Sequence, residues 1–470
     1  MKIEDIEITG LTSDSRLVKP GFLFAALDSE KAPGSSYIPS AIANGAALIL
    51  GKAEYASVAG NVKFIADANP NKKFSELAAE FYGPQPAHIA AITGTNGKTS
   101  IADFVRQILT AMGTKAASMG TLGFIKGNQA PVPSPNTTPN AVTTAEELAK
   151  LKREGYDYVC MEMSSHGLCQ YRVGGVHPEV AGFTNLTRDH LDYHKTFENY
   201  LNAKLILFRE ILVPGGTAVL NADIEAFPQI EKACLESGKK IITYGHNGRE
   251  LRLIQALPEH NGQRLKLVYF GKEVEIFVPL AGEFQAMNIL CALGMAAVLS
   301  GKPEEVIRHA GALKGAKGRL ELAGTTDSGA TVYIDYAHTP DALENVIRAM
   351  RPHTRGKLHV LFGCGGDRDS GKRPIMGRIA NELADVIYVT DDNPRTEDPL
   401  AIIRDILPGL SGPHLVIPDR REAIFRALDL ARPGDTVILC GKGHEITQET
   451  GGHRLPMDER QIIAEYINGS

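Results

Sequence analysis

The run TGTNGKTS at 93–100 joins an apolar stretch, AHIAAI, to a segment whose Phe104, Ile108 and Ala111 share one helical face. In a strand–turn–helix junction of this kind, glycines let backbone N–H groups approach an anion, and the helix start favours negative charge. Lys98 is then placed to reach phosphates and Thr99 to offer a hydroxyl to Mg²⁺. Gly94, Thr95, Asn96, Gly97, Lys98 and Thr99 therefore form a candidate nucleotide loop. The run departs from the commonest phosphate-loop spacing, because position 92 is isoleucine and the loop begins at Gly94. The bland alternative is a glycine turn that starts an ordinary helix.

Two further runs carry groups suited to a cation. Glu162 ends the apolar YVCMEM, where a carboxylate is costly unless it meets positive charge. Asp189, His190, Asp192 and His194 follow the apolar EVAGFTNL. Singly, each is a helix cap or a surface group; two such clusters beside a phosphate loop point to a metal site. In YLNAKLILF, Leu201, Leu205 and Phe208 share a helical face with Lys204. A lysine there either snorkels to water or is a partly buried amine of depressed pKa. Such an amine can react with CO₂, and the carbamate is an oxygen ligand suited to Mg²⁺. Lastly, VTDDNPRTEDP sets Arg395 behind Pro394 and among Asp391, Asp392, Glu397 and Asp398, just past the apolar ADVIYV. An arginine among acids is ordinarily a solvated ion pair, yet ligands of open α/β sheets bind beyond strand carboxyl ends.

The elements that must position these groups read as an α/β protein in three segments. Residues 1–86 mix short strands (GFLFAAL, AALILG) with a helical SAIANGA and end at YGPQPAH, where two prolines mark a boundary. Over 87–316, strands alternate with helices as in a largely parallel sheet, with hairpins predicted between 250 and 280. Over 317–470, five strands (TVYIDYA, KLHVLFG, DVIYVT, HLVIPD, DTVILCG) with intervening helices read as a Rossmann-like doubly wound sheet.

Composition narrows the partners. The chain has 470 residues, 43% of them hydrophobic and 22% charged, enough for an ample core. A net charge of -5 and a pI near 6.3 supply no basic field for nucleic acid, so small anions fit better. The first twenty residues carry Lys2, Glu4, Asp5, Glu7, Asp14, Arg16 and Lys19, unlike a signal peptide, and the longest apolar run, ILCALGMAAVL at 289–299, is too short to span a bilayer. Six cysteines show no CxxC pairing. The expectation is a cytoplasmic, reduced protein with neither membrane nor nucleic-acid partners.

Taken together, TGTNGKTS, MEMSSHGLCQYRV, NLTRDHLDYH, YLNAKLILF, YIDYAHTPDALE, FGCGGDRDSGKRPIM, DDNPRTEDP and GKGHE span all three segments and resemble the Mur ligases of peptidoglycan synthesis. The resemblance implies a UDP-MurNAc-binding N-terminal domain (1–86), a central ATP-binding P-loop domain (87–316) and a C-terminal amino-acid-binding domain (317–470). It implies the addition of meso-diaminopimelate to the D-glutamate side-chain carboxylate of UDP-N-acetylmuramoyl-L-alanyl-D-glutamate, with ATP as co-substrate and Mg²⁺ as cofactor, by a monomer. Carried over residue by residue, Glu162 and His190 hold magnesium with Thr99, and Lys204 is carbamylated. Asn288, Arg319 and Asp335 complete the ATP site; Ser15, Thr137, Thr138, Ser164, Gln170 and Arg172 meet the nucleotide-sugar dipeptide. Arg368, Asp392, Asn393, Pro394, Arg395, Gly441 and Glu445 hold the amino acid.

Two departures accompany the resemblance. LDSEKAPGSSYI stands where the family commonly has Asp-Gly-His, and Gln285 stands where asparagine is usual, although Asn288 is kept. The alternatives are a folylpolyglutamate synthase-like ligase, whose loop usually reads GTNGKGS, and an ATPase switch that does not ligate.

Overall fold

The computed structural model describes residues 1–3, 5–29, 32–134, 136–187, 189–259 and 262–469; the Asp192 side chain also lies outside the description. The chain divides into two compact units, Met1–Leu251 with Leu290–Ile307, and Arg252–Ile289 with Arg308–Ser470.

The first unit contains a small four-stranded sheet in the order Gly10–Thr12, Phe22–Ala25, Leu48–Gly51 and Lys63–Ala66, all parallel. The helix Pro70–Tyr82 follows, started by Pro70 and by Asn69, whose side chain accepts from the Lys72 N–H. Its Phe74 and Leu77 pack with Leu23, Leu48 and Leu50.

The same unit carries a larger sheet, in the order Lys240–Gly245, Thr217–Asn221, Val180–Phe183, His88–Thr93, Tyr158–Glu162, Ala116–Gly120 and Gly123–Lys126. Only Gly123–Lys126 runs antiparallel to its neighbour. The strand His88–Thr93 is flanked by Tyr158–Glu162 and Val180–Phe183, with Ile92 opposite Glu162 and Thr93 opposite Phe183. These strands are continuous apolar runs because both faces are covered, as parallel sheets require. The helix Lys98–Ala111 covers one face with Ile101, Phe104, Val105 and Ile108, each at most 1% exposed.

The apolar run at 289–299 belongs to a longer helix, Glu283–Ser300, of 18 residues. By length and composition that helix is able to cross a membrane, contrary to the sequence expectation, but 72% of it is buried inside the protein. Polar residues Glu283, Gln285 and Asn288 open it and conceal its length from an apolar count.

The second unit is built on a six-stranded sheet in the order Glu321–Thr325, Thr331–Asp335, Thr436–Cys440, Leu358–Phe362, Val386–Val389 and His414–Val416. All five expected strands appear and pair in parallel. The antiparallel edge strand Glu321–Thr325 escapes sequence reading, because Gly324 and a bulge beside it break its alternation. The hairpin of Thr447–Thr450 with His453–Pro456 is likewise new. The expected hairpins lie at Leu251–Glu259, Gly262–Tyr269 and Lys272–Val278.

One buried ion pair ties this sheet's ends together. Arg420 and Glu459 are both fully buried, with Nη2 2.7 Å from Oε1. The same guanidinium donates to the Asp391 carbonyl at 3.0 Å and the Cys440 carbonyl at 2.8 Å, just past two strands' carboxyl ends. Removing one member of such a pair leaves a charge buried alone. Arg420→Ala is therefore expected to destabilise the fold by about 3–5 kcal/mol in urea unfolding. A loss below about 1 kcal/mol, the level of an exposed pair, would contradict this.

Candidate active site

The loop 94–99 leaves the central strand and enters the helix Lys98–Ala111. Gly94 adopts φ +139°, and a Cβ there would lie 1.8 Å from Thr184 Oγ1, so only glycine fits. Thr184 Oγ1 donates to the Asn96 carbonyl at 2.6 Å, and Asn185 Oδ1 accepts the Asn96 N–H at 2.9 Å. Residues just past a neighbouring strand thus hold the loop open. Lys98 Nζ donates to the carbonyls of Gly94 (3.0 Å) and Thr95 (2.7 Å), which keeps the ammonium over the loop.

Glu162 is 2% exposed at the end of its strand. Its carboxylate accepts from Thr99 Oγ1 at 3.1 Å, the Thr121 N–H at 2.8 Å and Thr121 Oγ1 at 3.3 Å. Glu162 and Thr99 are hard oxygen donors side by side, a set that fits Mg²⁺.

Lys204 lies on the helix Phe197–Ile206, and its side chain is 1% exposed, so it does not snorkel. Nζ donates to the Gly94 carbonyl at 2.7 Å and sits 4.3 Å over the Tyr200 ring. Burial first, and then the charge of Lys98, hold this amine well below its ordinary pKa. Tyr200 Oη lies 3.2 Å from Thr95 Oγ1, and burial pushes its pKa up to about 12.

Among the described residues, no three His, Cys, Asp or Glu side chains come together as a metal cage. His190, at φ +53°, turns into the short helix Leu191–His194 and is nearly half exposed, 3.4 Å from Asp189. Its ring centroid is 4.9 Å from that of His166 and 6.2 Å from that of Tyr200. His194 is buried against Tyr200 instead, their ring centroids 5.2 Å apart. Both histidines thus lie against His166 and Tyr200, with His194 the more buried of the two.

Of the residues expected to meet the dipeptide, five come together in linked contacts. Thr138 Oγ1 is 3.1 Å from Ser164 Oγ, and the Thr138 carbonyl accepts from Arg172 Nη1 at 2.9 Å. Arg172 also donates to Gln170 Oε1, while Thr137 Oγ1 lies 3.0 Å from Thr121 Oγ1. Ser15 stands apart in the turn Ser15–Leu17, where Asn44 holds its carbonyl.

In the second unit, Asp335 ends the strand Thr331–Asp335 and accepts the N–H groups of Leu320 and Ala337. Burial pushes its carboxyl up to about 6, against the lowering charge of Arg319. Arg319 lies over the Tyr336 ring at 5.1 Å. Gln285 is fully buried and turns its oxygen to Asn288 Nδ2 at 3.0 Å, so the departure at 285 supports Asn288 from within the helix.

Arg395 is not paired with the acids beside it in sequence. Glu397 meets Arg373, Asp398 caps the helix Pro399–Ile406, and Asp391 is half-buried, its carboxyl pushed up to about 6 by that burial. Asp392 packs under Gly441, where a Cβ would lie 2.2 Å from its Oδ2. Arg395 adopts φ +54°. Its Nε is 3.4 Å from Glu449 Oε2, and Nη1 donates to the Gly366 carbonyl at 2.6 Å. A Cβ at Gly365 would lie 2.9 Å from Arg395 Nη1 and 3.8 Å from Arg368 Cγ, so both arginines flank that glycine.

Asn393 is held at Oδ1 from two sides. It accepts from Lys442 Nζ at 3.0 Å and the Glu449 N–H at 2.9 Å. Its Nδ2 donates to Glu445 Oε2 at 2.8 Å, to which the fully buried Lys442 is also paired at 3.2 Å. Sequence reading missed Thr121, Thr184, Lys442 and Glu449. Only Lys442 carried a signal, by lying inside GKGHE.

Residues 92–296 match the "Mur ligase middle domain", 318–443 the "Mur ligase, glutamate ligase domain" and 7–82 the "Mur ligase family, catalytic domain". The chain belongs to the Mur ligase family. It is 45% identical, over 98% of its length and 94% of the relative's, to the UDP-N-acetylmuramoyl-L-alanyl-D-glutamate--2,6-diaminopimelate ligase of Brucella melitensis biotype 1. The enzyme of that name from Mesorhizobium japonicum is 46% identical over 98% and 94%. A solved structure of a 2,6-diaminopimelate ligase of this type superposes with a TM-score of 0.76 at 33% identity, over 98% of this chain and 95% of that one. Folylpolyglutamate synthase of Mycobacterium tuberculosis shares the fold over 79% of this chain and 91% of its own, with a TM-score of 0.63 at 20% identity.

The loop geometry generates a direct test. Lys98→Ala removes an ammonium held at the carbonyls of Gly94 and Thr95. It is expected to weaken ATP binding by about tenfold or more in calorimetry, with the thermal midpoint unchanged. Equal loss of every affinity together with the thermal midpoint would indicate a damaged fold instead.

Proposed function

We propose that the protein is an ADP-forming ligase that joins meso-diaminopimelate to the D-glutamate side-chain carboxylate of UDP-N-acetylmuramoyl-L-alanyl-D-glutamate, in peptidoglycan precursor synthesis. Near full-length relatives bearing that enzyme name support it. The observation that carries the choice of amino acid is the group around Arg395: a guanidinium held from two sides, linked through Glu449 and Asn393 to the anion Glu445. The three family matches support domains at 1–86, 87–316 and 317–470. ATP and a uridine-nucleotide sugar are intracellular metabolites, which supports a cytoplasmic place of action.

A carboxylate does not condense with an amine unaided, because its oxygen is a poor leaving group. Transfer of the ATP γ-phosphoryl to that carboxylate makes an acyl phosphate and releases ADP; attack by the amine then forms the amide and expels phosphate. Loop N–H groups and Lys98 would hold the phosphates and spread their charge during transfer. Glu162, Thr99 and His190 would hold Mg²⁺, which would neutralise phosphate charge. Lys204 serves as an oxygen ligand only once carbamylated. Burial favours its uncharged amine, the form that reacts with CO₂. Thr138, Ser164, Gln170 and Arg172 would orient the dipeptide.

Diaminopimelate differs from lysine by a carboxylate at its far end. A guanidinium binds that carboxylate through two parallel hydrogen bonds and disfavours the ammonium of lysine. Glu445 would meet the distal ammonium, with Asn393 and Lys442 holding it in place.

An acceptor screen of ATP-dependent phosphate release tests the function. Release is expected only with both the UDP-muramoyl dipeptide and meso-diaminopimelate present; release without an amino acid would mark an ATPase switch, and release with folate substrates the rival ligase. Lys204→Ala is expected to abolish ligation, with partial recovery on adding short carboxylates, because the missing group is an anionic oxygen; normal activity would remove the carbamate role. Arg395→Ala is expected to lower kcat/KM for meso-diaminopimelate by about 2–4 kcal/mol with ATP affinity unchanged. Comparable wild-type turnover of lysine in the same kinetics would sink the assignment to Arg395.

A further inference from the structure

The hairpin Thr447–Thr450 with His453–Pro456 lies beside the turn that carries Arg395, and it makes contacts to Asp392, Asn393 and Arg395 of that turn. Gln448 Nε2 donates to the Asp392 carbonyl at 2.8 Å. The Glu449 N–H donates to Asn393 Oδ1 at 2.9 Å. The Arg395 N–H donates to the Glu449 carbonyl at 2.9 Å, and the Gly451 N–H donates to the Arg395 carbonyl at 2.6 Å. Those two bonds form a parallel bridge between Arg395 and Thr450. The Glu449 carboxylate adds the ion pair to Arg395 Nε at 3.4 Å.

Arg395 is left-handed, at φ +54°, which an arginine adopts only when its surroundings compensate. The bonds to its N–H and carbonyl are that compensation, and both come from the hairpin. Glu449 engages the Nε side of the guanidinium and the Gly366 carbonyl takes one Nη1 proton. The remaining Nη1 and Nη2 protons are the pair a carboxylate needs for two parallel bonds.

We infer that Glu449 is a positioning residue for the amino-acid substrate, and that the 447–456 hairpin is the element that makes Arg395 selective. Glu449 fixes Arg395 by backbone and side chain, and through Asn393 Oδ1 it fixes the amide that steadies Glu445. It therefore couples the group for the distal carboxylate to the group for the distal ammonium. Its own carboxylate touches Nε and does not occupy the Nη1/Nη2 fork. This inference rests on the proposed amino-acid specificity.

The test compares wild-type, Glu449→Gln and Glu449→Ala proteins in steady-state ligation with meso-diaminopimelate and with lysine. Glu449→Ala is expected to raise KM for meso-diaminopimelate by about tenfold or more, the effect of losing a hydrogen bond to a charged group. Its kcat should stay within about threefold of wild type and its KM for ATP unchanged, a split that general loosening of the fold would not produce. Glu449→Gln keeps an acceptor for Nε and should fall between the two. Gln448→Ala, which touches only a backbone carbonyl, supplies an independent variant and should also raise this KM alone. Unchanged KM in both alanine variants overturns the inference. A lowered KM in Glu449→Ala also overturns it, since Glu449 would then compete with the substrate's carboxylate. Wild-type protein that ligates no meso-diaminopimelate overturns the inference together with the function beneath it, whereas normal wild-type turnover with silent variants removes the hairpin's role alone.

Discussion

Parallel pairing brings chains to an end at one level, and that registration underlies the first unit's chemistry. With Ile92 opposite Glu162 and Thr93 opposite Phe183, the loop at 94–99, the Glu162 carboxylate and the Thr184–Asn185 corner all emerge along the same sheet edge. Thr184 and Asn185 then hold Asn96 directly, and Thr99 reaches Glu162 across one strand spacing. A slip of one residue between these strands would turn Glu162 to the other face of the sheet. The continuous apolar runs that build the strands cannot tolerate that, because each is buried on both sides.

The second unit applies the same arrangement to charge of the opposite sign, with buried cations holding backbone carbonyls and anions. Arg420 is fully buried and joins Glu459 to the carbonyls of Asp391 and Cys440, so its work is structural. Lys442, equally buried, serves Asn393 and Glu445. Arg395 differs from both. Its side chain is 24% exposed, with a longer 3.4 Å pair to Glu449, and it keeps guanidinium protons for a further partner. The gradation from sealed to accessible arginine separates the residue that braces the strand ends from one whose guanidinium keeps an accessible side.

Sequence reading succeeded where periodicity or a local turn dictates geometry. The strands around the nucleotide loop, the helix that follows it and the apolar face around Lys204 are all local consequences of residue order. It failed where partners come from distant chain. Arg395 sits among four nearby acids in sequence yet pairs with Glu449, because Glu397 is taken by Arg373 and Asp398 by a helix start. His190 and His194, four residues apart, both lie against His166 and Tyr200, aromatic neighbours from other stretches of the chain that no local pattern pairs with them. The edge strand Glu321–Thr325 and the 447–456 hairpin lack clean alternation and are stabilised by contacts that no local pattern encodes. Roles inferred from the family resemblance rest on the motifs, and the geometry gives each a physical setting.

Lys204 shows how such a setting constrains chemistry. A fully buried ammonium ordinarily requires a carboxylate partner. Its nearest described acceptor is instead the neutral carbonyl of Gly94, at 2.7 Å, with the positive charge of Lys98 close enough to disfavour a second charge. The amine is thus favoured in its uncharged form, which is the nucleophile that CO₂ requires. A carbamate at this position would carry negative charge, which Lys98 attracts rather than repels, although burial costs an anion as it costs a cation. Burial and Lys98 together favour the neutral amine, whereas Lys98 alone would favour an anionic product at this position.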